Sequence, residues 1–182
     1  MAAAVPHPVI VAASSGNFGQ GLAYACRLLG KSCVVVMPTT SAQVKVEAVR
    51  SHGGRVEWVD VAVTSRAQRV AELAAESPEA YVASAYDDPW VIEGNASLGE
   101  EIAGLGREFD VVVAPVGGGG LTAGLITGLR RAGCGVPVWG AEPALANDAA
   151  RSLRAGRIVA NDSEPPTLAD GARTLSLVQH HA

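Results

Sequence analysis

The stretch Asp110–Leu125, DVVVAPVGGGGLTAGL, runs from an apolar β-branched segment through four consecutive glycines into a helix-like pattern. A strand that ends in glycines before a helix leaves consecutive N–H groups free to converge on an anion, and the helix dipole favours negative charge there. A tight strand-to-helix turn needs positive φ at one or two positions, which one or two glycines supply. Four in a row exceed that need, and phosphate is the expected guest. The letters exclude the GxxxxGK[ST] phosphate loop. They also depart from a dinucleotide fold: the first turn reads Gly16-Asn17-Phe18-Gly19-Gln20-Gly21 rather than GxGxxG, and the second strand ends in Met37-Pro38 without a carboxylate.

Outward from that stretch, strand-like and helix-like patterns alternate along the chain. Strands are read in HPVIVAAS, SCVVVMP, RVEWVDV, AYVASA, FDVVVAPV and VPVWGAEP. Helices are expected from Asn17 to about Leu29, after a capping Ser41, from Thr64 to Ser77, after Pro89, from Leu121 to Arg131, and in ANDAARSLRAG. Asp87-Asp88-Pro89 resembles a carboxylate pair, but capping ahead of a first-turn proline explains it more simply. The order is that of an α/β protein with parallel sheets flanked by helices. A division near Ala85 gives a small α/β lobe, 1–84, and a second, cofactor-binding lobe, 85–182.

Composition narrows the partners. The 182 residues are 48% hydrophobic and 18% charged, with a net charge of -4 and no Lys/Arg cluster, which argues against nucleic acid or an anionic membrane surface. No stretch approaches the ~20 apolar residues of a membrane helix. Cys26, Cys33 and Cys134 show no CxxC spacing and read as buried thiols in a reducing, cytoplasmic compartment. The histidines His7, His52, His180 and His181 show no metal spacing. A small molecule is the expected partner. The first turn, AASSGNFGQG, crowds Ser14, Ser15 and Asn17 at the mouth of a helix beside Gly16. That pattern suits either capping alone or a site where backbone N–H groups grip a carboxylate.

Taken together, SSGNFGQGLAYACRLLG, VVVMP, KVEAVRSHGGRV, YDDPWVIEGNASLGEEI, VVVAPVGGGGLTAGL, WGAEP and TLADGARTLSL resemble, in the same order, the threonine and serine dehydratases and serine racemases. Those are pyridoxal 5'-phosphate enzymes of the tryptophan-synthase-β-like fold. The resemblance implies that Gly117, Gly118, Gly119 and Gly120 cradle the cofactor phosphate and that Asn17 hydrogen-bonds its 3-oxygen. It implies that Ser14, Ser15 and Gly16 hold the substrate carboxylate, with Ser15 exchanging a proton on one face in racemase-like members. Phe18 stands where the family often has His. Glu142, Ala146 and Asp148 match positions that bind a divalent cation in serine-racemase-like enzymes, Ala146 through its carbonyl, a donor set suited to Mg²⁺ or Ca²⁺. Read without the resemblance, Glu142 closes a strand and Asp148 opens a helix.

The chain also departs from that pattern. The family's Schiff-base lysine, in a Ser-Phe-Lys-like motif before the serine–asparagine turn, has no match, since the only lysines are Lys31 and Lys45. The expectation is a partial form of the fold: a truncated chain, inactive alone, of an ammonia-lyase that converts a β-hydroxy amino acid to a 2-oxo acid and ammonia. Threonine, serine and hydroxyaspartate all fit, as does racemisation. The alternative is a non-catalytic phosphate-binding or scaffold protein. Either form is expected to self-associate or to pair with a full-length relative through bare apolar surface.

Overall fold

The computed structural model describes residues 1–177 except Ser15, Arg107 and Glu164. The chain forms two compact units, Met1–Ala85 and Tyr86–Ala182. The first contains β1 (Val9–Ala13), α1 (Asn17–Leu28), β2 (Ser32–Pro38), α2 (Gln43–Ser51), β3 (Arg55–Val59), α3 (Arg66–Glu76) and β4 (Ala80–Ala83). The four strands lie parallel in the order β3-β2-β1-β4, with Val11 opposite both Val34 and Val82. Parallel strands joined by helices are covered on both faces, so their apolar residues run on instead of alternating. Ile10, Cys33, Val35 and Met37 accordingly pack with Leu22, Ala23 and Cys26 of α1 and Val46 and Val49 of α2. The intervening Val11, Val34 and Val36 pack with Val70 and Leu73 of α3.

Local chemistry fixes most boundaries. Gly30 and Gly53, at φ 65° and 81°, end the turns after α1 and α2 in a conformation that L side chains rarely adopt. Ser65 caps α3 by accepting from the Gln68 N–H at 3.1 Å. The expected cap at Ser41 is not formed: α2 starts one residue later, Ala42 is its N-cap, and the buried Ser41 hydroxyl has no partner.

The second unit contains α4 (Pro89–Ala103), β5 (Val112–Pro115), α5 (Gly120–Arg131), β6 (Val138–Ala141), α6 (Asp148–Ala155) and a short 3-10 turn, Asp170–Ala172. Asp88 caps α4 ahead of Pro89, accepting from the Trp90 N–H at 2.9 Å, so the acidic pair includes a helix cap as expected. The parallel strands β5 and β6 place Val113 opposite Trp139. One face of this pair meets Leu125 and Leu129 of α5. On the other face Val113 and Trp139 are 61% and 65% exposed.

α4 and α5 cross at backbone contact. A methyl group on Gly128 would lie 1.9 Å from the Ala96 carbonyl oxygen, one on Gly124 2.4 Å from Asn95 Cβ, and one on Gly99 2.3 Å from the Leu125 carbonyl oxygen. Gly124 and Gly128, one turn apart on α5, and Gly99 on α4 therefore let the two backbones meet. At the rim, Arg131 grips the Glu93 carboxylate with both terminal nitrogens at 2.5 and 2.6 Å. That hydrogen-bonded guanidinium holds the Glu93 carboxyl below its usual range.

Candidate functional site

In the second unit, three members of the tetraglycine have a structural reason of their own. Cβ atoms at Gly117 and Gly118 would lie 3.0 Å from the Gly171 carbonyl oxygen and 2.3 Å from the Tyr86 ring. Gly119 is the N-cap of α5, in the left-handed region at φ 99°. Close packing and one positive φ thus account for three glycines without any ligand, so their excess is not in itself a mark of phosphate. The mark is what the loop leaves at the helix entrance. The first amides of a helix have no intrahelical acceptor, Gly119 offers no capping side chain, and no acidic residue stands in the first turn of α5. The loop therefore presents unneutralised amides at the positive end of the helix dipole.

Two residues overlooked in the sequence support this loop from the α4 side. The Tyr86 ring lies against Gly118, and Asn95 Nδ2 donates to the Gly120 carbonyl oxygen at 3.4 Å. Neither carries a pattern that periodicity or spacing detects, although the four-residue repeat of glycines through α5 does point to a closely packed neighbouring helix.

In the first unit, the turn after β1 carries Ser14, Gly16 and Asn17, while Ser15 lies outside the described residues. Ser14 is buried, and its hydroxyl accepts from the N–H of Gly16 at 3.2 Å and of Gly19 at 3.0 Å. It is the cap of α1, working from two residues before the formal N-cap Gly16. Gly19 permits this, because a Cβ there would lie 3.2 Å from Ser14 Oγ and 3.0 Å from Val35 Cγ1. Asn17 is exposed at the first position of α1, and Phe18 packs partly into the core. The variant Ser14→Ala is expected to destabilise the chain by about 1 kcal/mol through loss of the cap, measured by urea denaturation, with Ser14→Thr retaining most of it.

At the end of β6, Glu142 accepts from the Ala149 and Ala150 N–H groups at 3.1 and 2.8 Å, so its carboxylate caps α6. Asp148, the first residue of that helix, is 2% exposed. Its Oδ1 accepts from Asn161 Nδ2 at 3.0 Å, whereas its buried Oδ2 has no hydrogen-bond partner. Ala146 is buried on the intervening loop. Among the described residues no group of three or more His, Cys, Asp or Glu side chains could hold a metal ion. The Asp148 Oδ2 atom is a buried acceptor without a hydrogen-bond partner.

The two lysines occupy other positions. Lys31 Nζ donates to the Ala2 carbonyl at 2.8 Å and to the Val5 carbonyl, tying the N-terminal segment to the first unit. Lys45 lies half-buried on α2.

Within each unit, the residues singled out stand at the carboxyl ends of parallel strands: Ser14, Gly16 and Asn17 after β1, the glycine loop after β5, and Glu142 after β6. Open α/β sheets bind their ligands at that edge. Fold and site together define an α/β protein whose glycine loop opens a helix without a capping side chain. The chain belongs to the family of pyridoxal-phosphate dependent enzymes, which matches it over residues 2–179. It is 40% identical over 158 residues to a beta-hydroxyaspartate dehydratase of Paracoccus denitrificans, covering 87% of this chain and 50% of that protein. To serine racemase of Bos taurus it is 33% identical over 165 residues, covering 91% and 48%. The crystal structure of a T.th. threonine deaminase superposes with a TM-score of 0.88 at 42% identity, over 99% of this chain and 59% of that one. The chain spans about half the length of the curated relatives it matches. The tryptophan-synthase-β-like architecture of parallel sheets flanked by helices is therefore that of this protein, in partial form. Among the described residues no helix is long and apolar enough to cross a membrane.

Proposed function

We propose that the chain serves a pyridoxal 5'-phosphate-dependent ammonia-lyase of the threonine/serine dehydratase type, acting on a small β-hydroxy amino acid. The observation that carries this reading is the glycine loop that opens α5 without a capping side chain. Its amides, at Gly117 to Gly120, would receive the cofactor phosphate, which the helix dipole favours. Asn17 would donate to the 3-oxygen of the ring. Ser14 shapes the first turn through its cap; the Ser14, Ser15 and Gly16 turn would orient the substrate carboxylate, and Ser15 would exchange a proton at the substrate α-carbon. When bound, the cofactor supplies an electron sink for charge developing at the substrate α-carbon.

The 182-residue polypeptide is proposed to lack turnover by itself. Lys31 is held by two carbonyls and Lys45 lies on α2, so neither supplies the amine on which the cofactor would be carried. The test is titration with pyridoxal phosphate, followed by dialysis, borohydride reduction and peptide mapping, alongside an assay with L-threonine and L-serine. Retained cofactor that borohydride does not fix, with no 2-oxo acid above the free-cofactor rate, supports the reading. Label on Lys31 or Lys45, or turnover by the polypeptide alone, overturns its account of the lysines. Loss of all cofactor on dialysis overturns the proposed phosphate role of the loop.

A divalent cation, Mg²⁺ or Ca²⁺, is proposed at Glu142 and Asp148, with Ala146 contributing its carbonyl. The unpartnered Asp148 oxygen supports it. Millimolar Mg²⁺ or Ca²⁺ is expected to raise the midpoint of thermal unfolding, and Asp148→Asn to abolish that rise; an equal rise in the variant would overturn the assignment. A cytoplasmic location fits the free thiols. The second reading, a phosphate-binding chain that associates with itself or pairs with a full-length relative, is favoured by the bare face around Val113 and Trp139, because parallel sheets are ordinarily covered on both sides. Sedimentation of the chain alone and with such a relative separates it from a monomer.

A further inference from the structure

One wall of the glycine loop is built by the last described stretch of the chain. The Gly171 carbonyl oxygen, Thr174 Cγ2 and Ala172 Cα stand 3.0, 3.5 and 3.7 Å from where a Cβ on Gly117 would lie. Leu177 packs with Val116, the residue before the glycines. After the 3-10 turn Asp170–Ala172 this segment forms neither helix nor strand. Arg173 closes it only on itself, donating from Nε and Nη2 to the Thr167 carbonyl at 2.9 and 2.7 Å. Its place against the loop depends on a tether from elsewhere.

Asn161 supplies one. Its backbone N–H donates to the Leu175 carbonyl at 2.7 Å, and its side-chain Nδ2 donates to the Thr174 carbonyl at 3.1 Å. The same Nδ2 donates to Asp148 Oδ1 at 3.0 Å, while Asn161 Oδ1 accepts from Arg151 Nη2 at 2.5 Å. Both amide protons and the amide oxygen are engaged, so the side chain cannot turn without breaking a bond. Asp148, 2% exposed, and Arg151 both stand on α6. Hydrogen bonds to charged groups are stronger than neutral ones. Asn161 is therefore a fixed bridge from α6 to the segment that lies on Gly117.

We propose that Asn161 is a positioning residue for the glycine loop: by clamping Thr174 to α6 it holds residues 171–174 against Gly117 and keeps the loop amides aimed at one anion. The inference rests on the reading of this loop as the seat of the cofactor phosphate. Asn161 acts through the segment and not on the ligand. Without the bridge the segment is free to draw back, and a loop of glycines has no side chains of its own to hold its backbone in place.

The test compares pyridoxine 5'-phosphate with pyridoxine, which differ only in the phosphate and carry no aldehyde to react with lysine. Equilibrium dialysis against the whole polypeptide is run with a chelator, so that no divalent cation at Asp148 contributes. The wild type is expected to prefer the phosphate form, and Asn161→Ala to cut that preference by about tenfold with pyridoxine binding unchanged. Ser152→Ala is the matched control: that hydroxyl also links α6 to the chain that follows, donating to the Asp148 carbonyl at 2.6 Å and accepting from the Val159 N–H at 2.9 Å. It is expected to lower the midpoint of thermal unfolding and to leave the preference intact. A full preference in Asn161→Ala, or an equal loss in Ser152→Ala, overturns the clamp and leaves the phosphate reading standing, whereas a wild type without preference overturns both. Amide hydrogen exchange on the wild type decides the matter even where Asn161→Ala does not fold. Pyridoxine 5'-phosphate is expected to slow exchange in peptides covering 171–177 as well as 116–121, and slowing confined to the loop overturns the clamp.

Discussion

Gly128→Ala is expected to destabilise the second unit, although alanine is the better helix former. The added methyl would lie 1.9 Å from the Ala96 carbonyl oxygen and 2.9 Å from the Glu100 nitrogen. Both are backbone atoms, so no side chain can rotate away, and α4 and α5 must move apart. Such overpacking costs about 3 kcal/mol, and the helix-propensity gain of about 1 kcal/mol offsets only part of it. A net loss of roughly 2 kcal/mol follows, read as a lower urea midpoint with an unchanged slope. Gly94→Ala is the matched comparison: it also sits within a helix, but a Cβ there meets nothing within 4 Å. It is expected to be neutral or to stabilise by up to about 1 kcal/mol. Equal effects at the two sites would show that the helices do not cross as closely as described.

Gly118→Ala is expected to weaken binding of pyridoxal phosphate by at least about tenfold, an effect on the order of 1.4 kcal/mol. The new Cβ would fall 2.3 Å from Tyr86 Cγ and 2.5 Å from Cδ2. Either the ring or the loop must shift, and a shifted loop no longer aims its amides at one point. Adding Tyr86→Ala to Gly118→Ala removes the obstacle and is expected to restore part of the affinity, a non-additivity read in a double-mutant cycle. Equilibrium titration of fluorescence or absorbance supplies the numbers. If Gly118→Ala binds as tightly as the wild type, the phosphate does not occupy this loop.

The sequence carried much of this. The apolar runs of VIVAA and SCVVVMP and the glycines after the helices marked a parallel, doubly covered sheet, because both the pleat and the left-handed turn leave local signatures. Capping at Asp88 was likewise written in short-range spacing, whereas the helix expected from Thr64 is capped at Ser65 and begins at Arg66. Ser41 shows the limit of that argument: a hydroxyl ahead of an apolar run is a cap only if the chain enters the helix at that residue, and here entry falls at Ala42.

By itself, then, the sequence determined the alternation of strands and helices, the resemblance to pyridoxal-phosphate enzymes and the position of the glycine loop, all of which depend on residues within a few places of one another. Only the tertiary structure decided why those glycines are glycines. Gly117 yields to the turn around Gly171, Gly118 to Tyr86, and Gly124 and Gly128 to α4. Those neighbours lie tens of residues away in the chain, and steric exclusion acts through space, so no local pattern records it. The same reason governs Ser14: its hydroxyl is committed to the backbone of α1 by geometry that its neighbours in sequence do not reveal.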